Sequence, residues 1–229
     1  MGEVGIDEWD FHWYKFHEAS APIHNFFEIN MRTSTFLLLA VVGALSRKTP
    51  QVKGSSPRCS SISEVKEVEE FLRVHNALRR KIASGTYVAK GRRMPAAKSM
   101  PDLVWDCKLE HTAQKWADRC VFKHSGDTFG KIGENLYQQW MHKGDKTGQG
   151  NHTSFMWENE FQQYGWTDIK FTENQMRIGH ATQMAWAETT RIGCGMKICG
   201  PESNPSVFTV CHYSPQGNWF DKNVYEQRR

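Results

Sequence analysis

The side chains that could do chemistry in this chain do not form a standard catalytic or metal-binding motif. The 229 residues include ten His and six Cys. No two Cys have the CxxC spacing of a structural zinc site, and no HExxH motif occurs. Ser125 follows His124, but sequence neighbours often point apart, and no GxSxG nucleophile turn is present. Spacing alone therefore predicts neither an enzyme nor a metal site.

The elements that must position any site begin with two helices. Ser61 and Glu64 have capping-box spacing ahead of an apolar stripe that runs at helical period from Val65 to Ile82. Gly85 ends this helix. Asp106 can cap a second helix, whose apolar side chains form one stripe.

The second half of the chain alternates strands and helices. The predicted elements are a strand over 132–140, a polar loop over 141–152, a third helix capped by Thr153 or Ser154, a short fourth helix over 179–188, and two strands over 191–199 and 207–214. The last two strands form a hairpin. The fold class is therefore α+β, with helices on both sides of a small central antiparallel sheet.

The N-terminal part has the pattern of an export signal. Met31-Arg32 precedes Phe36–Leu45, ten residues without a polar side chain, and small residues follow up to Ser46. Residues 31–46 are predicted to be a signal peptide, since the apolar run is too short to span a bilayer. Residues 1–30 are then a non-native upstream extension. The alternatives are a genuine N-terminus that masks the signal, or a buried helix or strand.

Composition sets the remaining boundaries and the charge. Residues 47–60 are rich in Lys, Pro, Gly and Ser and are predicted to be a linker. The folded domain covers 61–222, and 223–229 is a C-terminal tail. Removing 1–46 takes away six acidic and two basic residues, which raises the formal net charge from +4 to +8. This charge favours anionic partners such as acidic membranes or glycosaminoglycans. No Lys/Arg run is dense enough to indicate nucleic acid.

Three ordered motifs carry a resemblance to a known family. They are GHATQMAW at 179–186 with IGCG at 192–195, VCHYSPQGNW at 210–219, and His124-Ser125 followed by GENL at 133–136. The first helix adds His75, Asn76 and Arg79 in an HNxxR pattern. The chain resembles the cysteine-rich secretory, antigen 5 and pathogenesis-related (CAP) superfamily over about Ser61–Asp221. It is most similar to nematode venom-allergen-like, or activation-associated, secreted proteins.

The resemblance implies a disulfide-stapled α–β–α sandwich with a central cleft. Its cleft positions match His124, Glu134, Glu160 and His180. Glu158 is an alternative to Glu160, but it would face another side of its helix. The two imidazoles can ligate zinc or another divalent cation, and the carboxylates can orient them. With only two protein ligands, weak binding is expected.

The resemblance also implies a pairing of the six Cys, and the sequence itself contains one potential modification site. Six Cys allow 15 pairings from composition alone. Similarity to the family implies Cys59–Cys107, Cys120–Cys199 and Cys194–Cys211. Asn151-His152-Thr153 is the N-glycosylation sequon.

Relatives that bind sterol or fatty acid suggest a lipid site here. Tyr137, Trp140 and Phe155 flank the Gly-rich loop. A second aromatic set matches the ΦxΦxxxxΦ pattern of such relatives: Tyr164, Trp166 and Phe171. Burial in the core is the alternative for any one ring.

The functional expectation is a secreted, non-enzymatic effector. It would bind a lipid or sterol and a divalent metal, and it could act on a host protein as an immunomodulator of a parasitic nematode. The alternative is a metal-dependent or serine-type hydrolase that uses the same cleft.

Overall fold

The computed structural model describes Cys59 and residues 65–229. The predicted upstream extension, signal peptide and capping box, and all of the linker except Cys59, lie outside the described residues.

The described chain contains four helices and six strands. The helices are α1 (Val65–Ala83), α2 (Cys107–Ala117), α3 (Gln149–Tyr164) and α4 (Gly179–Ala185). The strands are β1 (Val88–Ala89), β2 (Arg92–Arg93), β3 (Val104–Trp105), β4 (Gly133–Trp140), β5 (Arg191–Cys199) and β6 (Ser206–Ser214). Short 3₁₀ helices span Gly126–Phe129 and Glu173–Ile178.

A four-stranded sheet forms the middle layer, in the order β3-β5-β6-β4. The predicted β5–β6 hairpin is confirmed, and β4 pairs antiparallel with β6. The sheet is not wholly antiparallel, because β3 adds to β5 in parallel. Strand β3 has only two residues, which are too few to show the alternation of apolar and polar side chains that predicts a strand. Helix α2 packs on β5 and β6, whereas α1, α3 and α4 pack together. The α–β–α sandwich is therefore confirmed.

Helix α2 lies directly on the backbone of β5. A Cβ on Gly193 would lie 2.1 Å from Glu110 N, and one on Gly195 would lie 2.4 Å from the Gln114 Cα. The IGCG motif thus supplies two positions without side chains where helix and strand meet. Asp106 caps α2 as predicted, and its carboxylate accepts from Lys108 N at 2.8 Å.

Helix α3 begins at Gln149, four or five residues before the predicted Thr153 or Ser154 cap, so the predicted loop over 141–152 is shorter. The cap comes from another helix. The buried Glu67 carboxylate of α1 accepts from Gly148 N at 2.8 Å and from Gly150 N at 2.7 Å. Local sequence cannot reveal this start, because the capping group lies about eighty residues away.

The predicted tail belongs partly to the domain. Val224 and Tyr225 are each 1% exposed and belong to the main apolar core. Tyr225 donates its hydroxyl proton to Pro95 O at 2.8 Å. The domain boundary at residue 222 is therefore corrected, since burying two large side chains makes this segment part of the fold.

Three disulfides connect these layers, in the pairing expected from the resemblance: Cys59–Cys107, Cys120–Cys199 and Cys194–Cys211. The last pair links β5 to β6 at a point where the two Cys are direct register partners. The second pair fixes the chain after α2 to the end of β5. The second pair therefore anchors the start of the loop that carries His124.

Arg79 is a fully buried cation that joins α1 to the end of α4. Its guanidinium donates to the carbonyl oxygens of Pro101, Met184, Trp186, Ala187 and Thr189 at 2.7–3.4 Å. Burial lowers its pKa to about 10, and Asp102 opposes that shift. Arg79 therefore remains charged at neutral pH and satisfies carbonyls that follow the last turn of α4.

Replacing Arg79 by Leu should strongly destabilise the domain. Several buried carbonyls would lose their donor, which predicts a loss of about 3 kcal/mol or more in the free energy of unfolding. The neighbouring exposed Arg80, paired with Asp102, is the matched control, and Arg80→Leu should cost at most about 1 kcal/mol. Urea unfolding of the oxidised proteins measures both. Equal losses would contradict the role assigned to Arg79.

Candidate functional site

The first half of the site joins His124 to strand β4. Glu134 points from β4, and its Oε1 accepts from His124 Nδ1 and from Ser125 N, each at 2.8 Å. The His124 side chain is 62% exposed, whereas that of Glu134 is 7% exposed. A buried carboxylate thus orients a ring that faces solvent.

His212 is a further member of this cluster that the sequence analysis did not identify. It is the register partner of Glu134 across β4 and β6. The fully buried ring contacts Glu134 Oε2 through Nε2 and Thr112 Oγ1 of α2 through Nδ1, each at 2.8 Å. The VCHYSP motif contains His212, but the motif alone does not predict a contact with Glu134. That contact depends on the register in which β4 and β6 pair.

These contacts determine the charge of Glu134. Burial acts to raise the pKa of this carboxyl, but hydrogen bonds from His124, His212 and Ser125 outweigh it and lower the pKa to about 2. The carboxylate is therefore ionised at any physiological pH. As an acceptor-only group, it requires a proton on the facing nitrogen of each histidine.

The second half of the site joins α3 to the start of α4. His180 Nδ1 lies 2.5 Å from Glu160 Oε1, and the other Glu160 oxygen accepts from Ala181 N at 3.1 Å. The His180 ring stacks on Trp157, with centroids 5.8 Å apart. Glu158 instead lies near Tyr87 and Lys81, where burial raises its pKa. The structure thus favours Glu160 over the alternative Glu158.

Both halves are attached to the same edge strand. Glu134 and Asn135 are consecutive in β4, so their side chains point to opposite faces of the sheet. The Glu134 side chain reaches α2 through His212 and Thr112. Asn135 donates to the carbonyl oxygen of His180 at 3.1 Å on the other side. A Cβ on Gly133 would lie 2.1 Å from Gln183 Oε1, so α4 approaches β4 closely here.

A buried polar network supports the second half. The Nδ1–H of His75 donates to Phe71 O at 2.8 Å, which leaves Nε2 to accept from the Tyr213 hydroxyl at 2.9 Å. That hydroxyl in turn accepts from Asn135 at 3.2 Å. Burial lowers the pKa of His75 to about 3, so the ring is neutral. His75 is therefore a structural residue rather than a ligand.

The donor chemistry of His124 and His180 fits a divalent cation. In each ring Nδ1 is hydrogen-bonded to a carboxylate. Histidines that ligate metals are oriented in this way, and Nε2 would then be the nitrogen that binds the metal. Among the described residues, the one group of three potential ligands within 4.8 Å is Cys59, Cys107 and Glu110. Its two sulfurs form a disulfide, so that group offers no thiolate.

Ser125 interacts with the Glu134 carboxylate. Its backbone and its hydroxyl both stabilise the Glu134 carboxylate, and within the described chain no hydrogen bond joins the hydroxyl to the His124 ring. A serine nucleophile needs its base within hydrogen-bond reach.

The predicted lipid-binding aromatics differ in exposure. Trp140 and Phe155 are 55% and 56% exposed, and Tyr164 is also exposed. Tyr137 is half-buried, and its hydroxyl bonds the His152 ring. Trp166 and Phe171 are core residues; Trp166 stacks on Phe161 with centroids 4.2 Å apart. A ligand can reach these two only if the core opens, which corrects their expected place on a lipid surface.

Two other features lie outside the site formed by His124 and His180. Asn151 is exposed in the first turn of α3, and its Oδ1 accepts from Arg73 at 2.6 Å; its glycosylation stays a prediction. A cavity of about 330 Å³ lies between the loop after β4 and the β5–β6 turn, lined by His142, Ile198 and Pro205 among others. It is at the opposite end of β4 from Glu134 and is not part of the site.

Replacing Glu134 by Gln should make the free energy of unfolding less dependent on pH in the acidic range. The folded-state pKa of Glu134, about 2, lies below the ordinary value of 4.5, so the carboxylate stabilises the fold above pH 4.5 and loses this contribution as pH falls towards 2. The variant should be less stable by about 2–3 kcal/mol at pH 7, with the gap closing in acid. Urea unfolding from pH 7 to 3 tests this, with exposed Glu188→Gln as control. A gap that stays constant with pH would refute it.

The chain is similar to secreted proteins of worms and insects. It is 33% identical over 202 residues to "Ancylostoma secreted protein" of Ancylostoma caninum, covering 84% of this chain and 47% of the relative. It therefore spans about half the length of that protein. It is 32% identical over 188 residues to "Venom allergen 3" of Solenopsis invicta, covering 76% of this chain and 79% of the relative.

Solved structures show the same fold. A structure described as NaASP2 with Zn²⁺ has 31% identity and a TM-score of 0.69, covering 74% of this chain and 90% of that one. BmVAL-1 has 31% identity and a TM-score of 0.65, covering 74% and 86%. Three disulfides and relatives named as secreted and venom proteins agree with an extracellular location. No described helix is long and apolar enough to cross a bilayer.

The family profile itself matches most of the domain. The profile described as "CAP: Cysteine-rich secretory protein family" covers residues 72–213, which include all four predicted cleft residues and His212. With this match, these relatives and this fold, the chain belongs to the cysteine-rich secretory protein (CAP) family.

Proposed function

We propose that this protein is a non-enzymatic extracellular effector that binds a divalent cation, zinc foremost, through His124 and His180. The observation that carries the proposal is that each imidazole gives its Nδ1 to its own buried carboxylate. Nε2 of each ring is then the nitrogen proposed to bind the metal, and the carboxylate adds negative charge behind the ring. The Zn²⁺ named for one similar structure supports this choice of metal.

The two histidines have unequal freedom, which bears on affinity. His180 is held by Glu160 and stacks on Trp157, and its side chain is 14% exposed. His124 is largely solvent-exposed and is anchored through Glu134. Ordering His124 costs side-chain entropy when metal binds. With two protein ligands rather than three or four, binding should be weak and water should complete the coordination.

Zinc binding should require both histidines. His124→Ala and His180→Ala should each weaken zinc binding at least about tenfold, since each removes one ligand. The exposed His111 of α2 provides the matched control, and His111→Ala should bind as the parent does. Isothermal titration at pH 7.5 measures all four proteins. Retention of full affinity in either site variant would reject the site.

A second binding function rests on two exposed aromatic side chains. Trp140 ends β4 and Phe155 lies on α3, and both expose more than half of their surface. Exposed aromatic rings are suited to contact with an apolar ligand. We propose that these two exposed residues contact a sterol or a fatty acid.

Lipid binding should depend on these rings and not on the histidines. The double variant Trp140→Ser/Phe155→Ser should retain several-fold less labelled cholesterol or palmitate, since it removes the proposed apolar contact. Phe122→Ser/Trp219→Ser changes the same residue types at other exposed positions and should bind normally. His124→Ala should also bind normally. Equal retention by the two double variants would contradict this location.

The hydrolase alternative is less well supported. Ser125 is hydrogen-bonded to Glu134 rather than to an imidazole, and two histidines fall short of the three ligands common at catalytic zinc. Action on a host protein remains compatible with the exposed, basic surface but has no assigned residues.

A further inference from the structure

A basic two-stranded hairpin projects between the C-terminal ends of α1 and α3. Val88 pairs with Arg93 and Ala89 with Arg92. The turn residues Lys90 and Gly91 both have positive φ, 44° and 83°, which is typical of the tight two-residue hairpin turn that matches strand twist. Lys90, Arg92 and Arg93 are all exposed. The turn therefore presents three cations on a well-defined backbone.

The chain after the hairpin and the C-terminal segment that pairs with it supply three more cations. Ala97 and Gln227 form an antiparallel bridge. Lys98 N donates to Glu226 O at 2.6 Å, and Arg228 N donates to Ala96 O at 2.7 Å. Lys98, Arg228 and Arg229 are exposed, so they lie along the continuation of the hairpin.

We propose that these six cations bind a sulfated polysaccharide of the glycosaminoglycan type. The set is called the basic strip here and consists of Lys90, Arg92, Arg93, Lys98, Arg228 and Arg229. The segments 84–98 and 223–229 that supply it contain a single acidic residue, Glu226. Local positive charge of this density attracts polyanions.

Hydrogen bonds to backbone carbonyls engage only half of the basic strip. Lys90 Nζ donates to Gln163 O near the end of α3, and Arg228 donates to Ala83 O at the end of α1. Arg92 donates to Thr167 O at 2.5 Å. In contrast, the side chains of Arg93, Lys98 and Arg229 make no hydrogen bond or ion pair within the described part of the chain. Three cations thus have no task inside the fold.

The form of the basic strip favours a chain of sulfates over a lipid surface. The planar fork of arginine binds oxyanions through two parallel hydrogen bonds, and four of the six residues are arginine. Binding to a bilayer gains from inserted apolar side chains. Val88 is the one large apolar side chain exposed in the segments 84–98 and 223–229. A linear polyanion can meet cations on successive segments without insertion.

The test compares two variants with the same loss of charge. Arg93→Gln/Lys98→Gln/Arg229→Gln removes the three unengaged cations of the basic strip. Lys108→Gln/Lys115→Gln/Lys131→Gln removes three exposed lysines elsewhere that likewise make no side-chain bond in the described structure. Both variants should unfold at the parent's temperature, because no contact is lost.

Heparin is the probe, at 150 mM NaCl. The strip variant should bind at least about tenfold more weakly than the parent, and the control less than about twofold. Parent binding should weaken steeply with added salt. Equal weakening of the two variants, or no heparin binding by the parent, would overturn the proposal.

A parallel arm uses vesicles of phosphatidylserine and phosphatidylcholine. The parent should bind these vesicles less strongly than heparin. If the strip variant loses vesicle binding while its heparin binding is unchanged, the surface serves membranes and the proposal fails. This outcome does not depend on the zinc or lipid sites, since none of their residues is changed.

Discussion

The arrangement of this domain depends on one buried cation, Arg79. Five backbone carbonyls from two separate segments converge on its guanidinium. Four of them belong to the end of α4 and the turn that leads into β5, so a single side chain fixes where α4 stops. His180 is the second residue of that helix. The position of an imidazole at one end of α4 is therefore tied to a guanidinium at the other.

The neighbours of Arg79 on α1 have comparable tasks. Asn76 pairs with both the N–H and the C=O of Leu103, and so holds the chain entering β3. His75 supports Tyr213 beneath the site. The HNxxR pattern is thus a set of three polar residues through which one helix is bonded to other parts of the fold. Because each contact is buried and satisfied, it specifies position as well as adding stability.

Sequence reasoning reached those parts of the fold whose determinants are local or carry a family motif. Asp106 as a cap, the β5–β6 hairpin and the three Cys pairs belong to this class, as do Glu134 beside His124 and Glu160 beside His180. It missed the features that depend on long-range partners. The start of α3 is set by Glu67 from α1, β3 is too short to have a period, and His212 reaches Glu134 only through strand register. Trp166 and Phe171 are buried in the core, and neither periodicity nor the aromatic motif could predict this burial.

The direct contact between α2 and β5 has a consequence for how such a protein can diversify. At Gly193 and Gly195 helix and strand meet with no side chain between them, so this interface has no room to accept substitution. The opposite side of α2 carries Lys108, His111 and Lys115, all of which are exposed. Substitutions can therefore be accommodated on this outer surface while the layer beneath it stays fixed.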